Sequence, residues 1–181
     1  YTTLFRSDSH NHNDVGSVTL YRDGRPLLID VGVETYSKKT FSPQRYEIWT
    51  MQSGWHNLPQ FDPDGAKYDQ QPGAAFAAAD VTVTDALDGL AMDLAPAYGS
   101  VPGLGRYRRS VHLTDTGLTL HDETDYPGTV ALTLMSVEKP TVDGDTVAFG
   151  ALAAAAVTGA DKIVTEAVPI ADPRLRQAWP G

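Results

Sequence analysis

The sequence predicts an all-β fold, an antiparallel sandwich or barrel formed by one domain. Three observations carry this reading. Sixteen Gly and twelve Pro break the 181 residues into short segments, those segments alternate apolar and polar side chains with the two-residue period of a half-buried strand, and Gly-containing hairpin turns join several of them. A chain of this length can bury a core of its own without a second domain.

Taken in order, strands are expected near 2–6, 17–22, 26–34, 46–52, 75–84, 89–95, 106–114, 117–124, 129–136, 145–149, 152–157 and 162–168. Asp23-Gly24 is a two-residue hairpin signal between Val18-Thr19-Leu20-Tyr21 and Leu27-Leu28-Ile29, with a register that would pair Ser17 with Asp30. Ile48-Trp49-Thr50-Met51 reads as a core strand. Pro59 to Gly73, with three Pro and two Gly, reads as the longest loop. Arg108-Ser110-His112-Thr114 alternates with Arg109-Val111-Leu113 ahead of Asp115-Thr116-Gly117, which marks a second hairpin. The alanine run within 151–157 has strong intrinsic helix propensity. It is short and lies between Asp143-Gly144-Asp145 and Thr158-Gly159, so a strand is expected instead.

Composition narrows the function classes. Fourteen basic and 23 acidic residues leave a net charge of −9, which argues against nucleic acid and against a polybasic membrane contact. No stretch approaches the length of a membrane span. The absence of Cys removes thiolate metal sites, disulfides and cysteine nucleophiles, and leaves the compartment open. The sequence opens at Tyr1 and stops just after Trp179, so a piece of a longer polypeptide, truncated at both ends, is expected.

The densest chemistry lies in the first third. Ser9-His10-Asn11-His12-Asn13-Asp14-Val15-Gly16 is followed by Asp30 and by His56 in Gly54-Trp55-His56-Asn57. Imidazoles with a carboxylate are a ligand set for zinc or a similar divalent cation. Asp30 interrupts the apolar run Leu27-Leu28-Ile29-Asp30-Val31-Gly32-Val33 with no neighbouring Lys or Arg. A carboxylate in such a place needs a partner or a metal. On straight strands His12 would stand about 17 Å from Asp30, so the Asn11–Gly16 segment is expected to fold back. Asp14 is read as a turn residue, and His112 and His121 as solvent-facing strand residues.

Three segments carry a family resemblance: 9–17, 27–36 from Leu27-Leu28-Ile29-Asp30 to Tyr36, and 45–59 from Arg45-Tyr46-Glu47-Ile48-Trp49 to His56-Asn57-Leu58-Pro59. Together with Arg106-Tyr107-Arg108-Arg109-Ser110-Val111 and the closing Asp172–Trp179, they make the chain resemble the C-terminal β-sandwich domain of the heparinase II/III family of polysaccharide lyases. The resemblance implies a large antiparallel β-sandwich that works beside an N-terminal (α/α) toroid absent from this chain. It implies cleavage of acidic, uronic-acid-containing polysaccharide by β-elimination, and a periplasmic or secreted setting, with the cytoplasm left open. It also implies that His12, Asp30 and His56 bind zinc or another divalent cation and that His10 reaches into the cleft as the catalytic group of this half.

Proton abstraction α to a carboxylate needs donors that stabilise the developing charge, together with a base and an acid for the leaving oxygen. The catalytic Tyr and several further groups are expected on the toroid, so the isolated domain should be inactive. Tyr36 and Arg45 are candidate contacts for the sugar acid. Structural pairing of Arg45 with Glu47 or Glu34 is the alternative. Trp55 is a candidate sugar-stacking side chain, whereas Trp49 reads as core. Two other classes also use such residues. A cupin-like metal enzyme expects a Glu shortly after the second His, where this chain has Asp14. A noncatalytic carbohydrate-binding sandwich would keep any metal structural.

Overall fold

The computed structural model describes residues 11–180. His10 and the strand expected near 2–6 lie outside the described residues. The architecture is an all-β sandwich of antiparallel strands, β1 (Leu20–Arg22), β2 (Arg25–Leu28), β3 (Pro59–Phe61), β4 (Ala79–Val83), β5 (Gly89–Asp93), β6 (Tyr107–Thr114), β7 (Gly117–Thr124), β8 (Val130–Leu132), β9 (Thr141–Asp143), β10 (Thr146–Phe149) and β11 (Ala153–Ala156), with one short helix, α1 (Pro173–Ala178). Strands pair as β1-β2, β3-β8, β4-β5-β6-β7 and β11-β10-β9. No helix among the described residues is long and apolar enough to cross a membrane.

The expected hairpins form. Arg22 faces Arg25 across Asp23-Gly24, both of which take positive φ as a two-residue turn demands. The β6-β7 ladder runs from Tyr107↔Thr124 to Thr114↔Gly117. The alanine segment is a strand, Ala153–Ala156, paired along β10, so the sheet overrides local helix propensity.

Four expectations are corrected. The first hairpin slips by one residue between Leu20 and Tyr21, so Ser17 does not pair with Asp30. The strand expected over 26–34 ends at Leu28, because the Asp30 carboxylate captures the Gly32 N–H at 2.6 Å and bends the chain. The strand expected over 46–52 is instead part of a staircase of 3-10 turns, Pro43–Glu47, Trp49–Met51 and Ser53–Trp55. Ser42 starts it by accepting from Gln44 N–H, with Pro43 at its first position. Residues 162–168 form no strand.

Two hydrophobic clusters flank the staircase. The larger joins Leu58, Phe61, Met92, Leu94, Tyr98 and Tyr107, with Phe61 packed edge-on to Tyr98, Tyr107 and Tyr126 at 4.9–5.7 Å. The smaller joins Ile29, Val31, Met135 and Leu175, with Trp49, Trp55 and Trp179 against it. Asn57, fully buried, sits on the seam. Its Nδ2 donates to Val18 O (2.7 Å) and Ile29 O (3.1 Å), and its Oδ1 accepts from Met135 N–H at 2.6 Å. Arg109, also fully buried, grips the Asp122 carboxylate through Nε (2.8 Å) and Nη2 (2.7 Å), and Tyr107 Oη donates to the same carboxylate. Burial alone would lower the Arg109 pKa. The Asp122 carboxylate outweighs it and holds the guanidinium charged.

Candidate metal centre

Each of the three predicted ligands is delivered by a different local device. The segment carrying His12 folds back as expected. Asn13 N–H donates to Met51 O (2.9 Å), and Ser17 N–H donates to Asp14 O (2.9 Å) to close the turn. The Gln70 side chain holds Val15 from both sides, accepting from its N–H and donating to its carbonyl at 2.9 Å each. Gly16 makes the reversal at φ +83°, and a Cβ there would stand 2.5 Å from Leu94 Cδ2.

Asp30 stands just beyond β2. Its Oδ1 is fixed by Gly32 N–H, and that turn needs the positive φ of +85° that Gly32 supplies. The other oxygen, Oδ2, faces His56. His56 ends the staircase, where its N–H donates to Ser53 O. Ser53 is itself anchored by Asp69, which accepts from its N–H (2.5 Å) and its hydroxyl.

These devices bring ligand atoms of His12, Asp30 and His56 within 4.8 Å of one another. The His12 and His56 rings lie 5.4 Å apart, tilted by 49°. His56 Nδ1 stands 3.5 Å from Asp30 Oδ2, which is beyond a well-formed hydrogen bond. His56 is 1% exposed, and neither of its ring nitrogens has a hydrogen-bond partner among the described residues.

The electrostatics favour the metal-binding forms of the two titrating neighbours. Burial, then repulsion from His56, lowers the His12 pKa, against the opposing pull of Asp30 and Asp14. A neutral imidazole is the ligating form. Burial pushes the Asp30 carboxyl up, but the facing His56 and the Gly32 N–H bring it below its ordinary value. Asp14 is raised, chiefly by burial. Its backbone closes the expected turn, and its carboxyl feels both histidines and Asp30, a proximity that the turn reading missed.

The donor set of two imidazoles and one carboxylate suits zinc. Metal–ligand bonds of about 2.0–2.1 Å in tetrahedral geometry separate ligand atoms by about 3.3 Å. The described spacing, within 4.8 Å, would need to contract by at most about 1.5 Å to reach that separation, within reach of side-chain rotation. Two buried ring nitrogens without a hydrogen-bond partner among the described residues are also polar groups that burial disfavours unless something pairs with them. The residues present therefore fit a divalent cation.

The remaining candidates are placed as follows. Tyr36 is exposed, meets Phe41 edge-on at 5.4 Å and lies under the Arg174 guanidinium at 4.7 Å. Arg45 is buried, and its guanidinium donates to Thr40 O and reaches Met51 Sδ. Of the two alternative partners named for it, Glu47 pairs with Lys39 at 3.0 Å and Glu34 accepts from Trp49 Nε1 at 2.7 Å. The charge on Arg45 contributes to the lowered His12 pKa. Trp49 and Trp55 pack against each other in a T-shape at 5.2 Å beside the smaller core. His112 and His121 are exposed on their strands, as expected. A shallow cleft beside His12 is lined by Asn11, Asn13, Gln71 and Phe76.

Compared with known proteins, the chain matches the family model for the heparinase II/III-like C-terminal domain over residues 4–166. No curated protein matches it. The match spans the fold-back, the Asp30 turn, the staircase and the β6-β7 hairpin, and on that basis the chain belongs to the heparinase II/III-like family as its C-terminal domain.

Proposed function

We propose that this domain is the sandwich half of a polysaccharide lyase site, with His12, Asp30 and His56 holding a divalent cation, zinc being the best fit, next to the cleft that receives a uronic-acid-containing chain. The observation that carries the reading is the buried His56, whose two nitrogens are unpartnered among the described residues within reach of His12 and Asp30. A bound cation would supply fixed positive charge next to an anionic substrate.

The chain's own residues would divide the remaining work. His12 and Asp30 keep the 11–16 fold-back and the 30–32 turn in register, and with them His10, two residues from His12, which we assign to the cleft as a proton-carrying or carboxylate-binding group. Asn11, Asn13 and Gln71 line the cleft with amides suited to sugar hydroxyls. Tyr36 is the exposed candidate for substrate contact, while Arg45 acts from beneath through its charge.

In the elimination itself the C5 proton passes to a base and the C–H electron pair becomes the C4–C5 double bond. The glycosidic C4–O bond breaks, and its oxygen leaves with the electron pair and is protonated by an acid. The base is expected on the toroid, so this domain alone should turn over little, because members of a catalytic unit act together. The test is the unsaturated uronate chromophore formed from a panel of uronic-acid polymers by this chain, by a toroid-containing polypeptide, and by that polypeptide with His10→Ala. Robust activity from this chain alone, or an unimpaired His10→Ala enzyme, would sink the reading.

A further inference from the structure

None of the three ligands lies within a strand ladder, and the Asn13 N–H to Met51 O bond and the β1-β2 hairpin tie their segments only pairwise. We infer that Asn57 and Arg109 form a positioning layer beneath the site that holds the three segments to one geometry. The inference rests on the metal reading above. The geometry of Asn57 is specific. Its own peptide adjoins His56, its Nδ2 donates to Ile29 O beside Asp30 and to Val18 O at the exit of the His12 fold-back, and its N–H donates to Ser17 Oγ at 3.3 Å. One residue, lying on the His56 segment, thus ties it to the other two.

Arg109 ties the same segments to the sheet. Its Nη1 donates both to Gly16 O (2.9 Å), where the His12 segment reverses, and to Asn57 O (2.7 Å). Its other donors are consumed by Asp122 on β7, and Asp122 is braced by Tyr107 Oη. A fully buried ion pair is weak evidence for stability, since apolar residues of similar volume often serve a core as well. What an apolar pair cannot supply is a forked donor aimed at two carbonyls on different segments. Loss of a group that orients ligands typically weakens metal affinity 10- to 100-fold.

The test compares metal affinity and ligand-field spectrum in variants that remain folded. Arg109→Met/Asp122→Leu removes the pair together and leaves no unpaired charge in the core. Asn57→Ser cuts the other arm of the layer and serves if the double variant does not fold. Phe61→Leu is the control: it loosens the larger core, and Phe61 touches no ligand-bearing segment through a hydrogen bond. Zinc affinity by competition with a chelator, and the visible spectrum of the cobalt(II)-loaded chain, are recorded with each variant verified as folded by circular dichroism. The positioning role requires a 10- to 100-fold weaker affinity and altered cobalt bands in the Asn57 and Arg109 variants, with the control within threefold of the parent chain. Folded variants with unchanged affinity and spectrum would overturn it, as would a control that falls equally. A parent chain that binds neither metal would overturn the metal reading itself, and this inference with it.

Discussion

His56→Leu should stabilise the metal-free domain, although it removes a residue of the site. An imidazole brings one donor and one acceptor when neutral. Both nitrogens of His56 are buried and unpartnered among the described residues, and each such group costs about 1–3 kcal/mol relative to its hydrated form in the unfolded chain. Leu is of similar bulk but different shape, and imperfect repacking together with the lost attraction of His56 for the Asp30 carboxylate returns up to about 1.5 kcal/mol. The net expectation in chelator is a gain of about 2 kcal/mol, or about 4–8 °C in Tm for a chain of this size.

Zinc reverses the order. A ligand at 100 times its Kd adds about 2.7 kcal/mol to the form that binds it, and only the parent chain keeps all three ligands. Urea titrations of both proteins, in chelator and in zinc, therefore give midpoints that cross. A His56→Leu variant less stable than the parent by more than about 1 kcal/mol in chelator would show that His56 is satisfied in the native protein. A site held open at the expense of stability would then be excluded.

Three further outcomes are expected. Asp30→Asn keeps an acceptor for Gly32 N–H, so it should leave the unfolding free energy within about 1 kcal/mol of the parent while calorimetry reads at least a tenfold loss of zinc affinity, about 1.4 kcal/mol. Gly16→Ala, forced into φ +83° with its Cβ 2.5 Å from Leu94 Cδ2, should cost about 2–4 kcal/mol in denaturant unfolding from the sum of backbone strain and overpacking. The Tyr126 phenol donates to the Asp62 carboxylate at 2.5 Å, which pushes its pKa up to about 12. Because the folded-state value is raised, its stabilising effect is complete below the ordinary tyrosine value of about 10 and is lost as pH rises through about 12. Tyr126→Phe should flatten stability over that window and remove one late-titrating phenolate from the ultraviolet absorbance of the native chain.

The meeting of His12, Asp30 and His56 was legible because these are residue types whose placement a strand or loop does not otherwise explain, and the mismatch between a straight strand and a shared cluster pointed to the fold-back. The β6-β7 hairpin was legible from alternation alone. The same alternation put Arg109 on the face of Val111 and Leu113, where a lone cation demands a partner, and its register across the hairpin leads to Asp122. The staircase escaped because Ile48-Trp49-Thr50-Met51 has strand-like composition. Its true signal is the three-residue spacing of buried Thr50, Ser53 and His56, the period of a 3-10 turn. Asn57 gave no signal, since an asparagine reads equally well as a loop residue until the carbonyls around it are in place.

The hydrogen bond from Trp179 Nε1 to Val31 O (2.9 Å) spans 148 positions of sequence, and it gives the site a history as well as a shape. At about 5–20 residues per second of synthesis, roughly 7–30 s separate the appearance of Val31 from that of the indole that caps it. Leu175, which packs beneath Val31, is almost as late. A nascent chain on the ribosome thus carries His12, Asp30 and His56 long before it holds the brace behind the Asp30 turn, so for that interval the three side chains exist without the support that stands behind them in the finished fold.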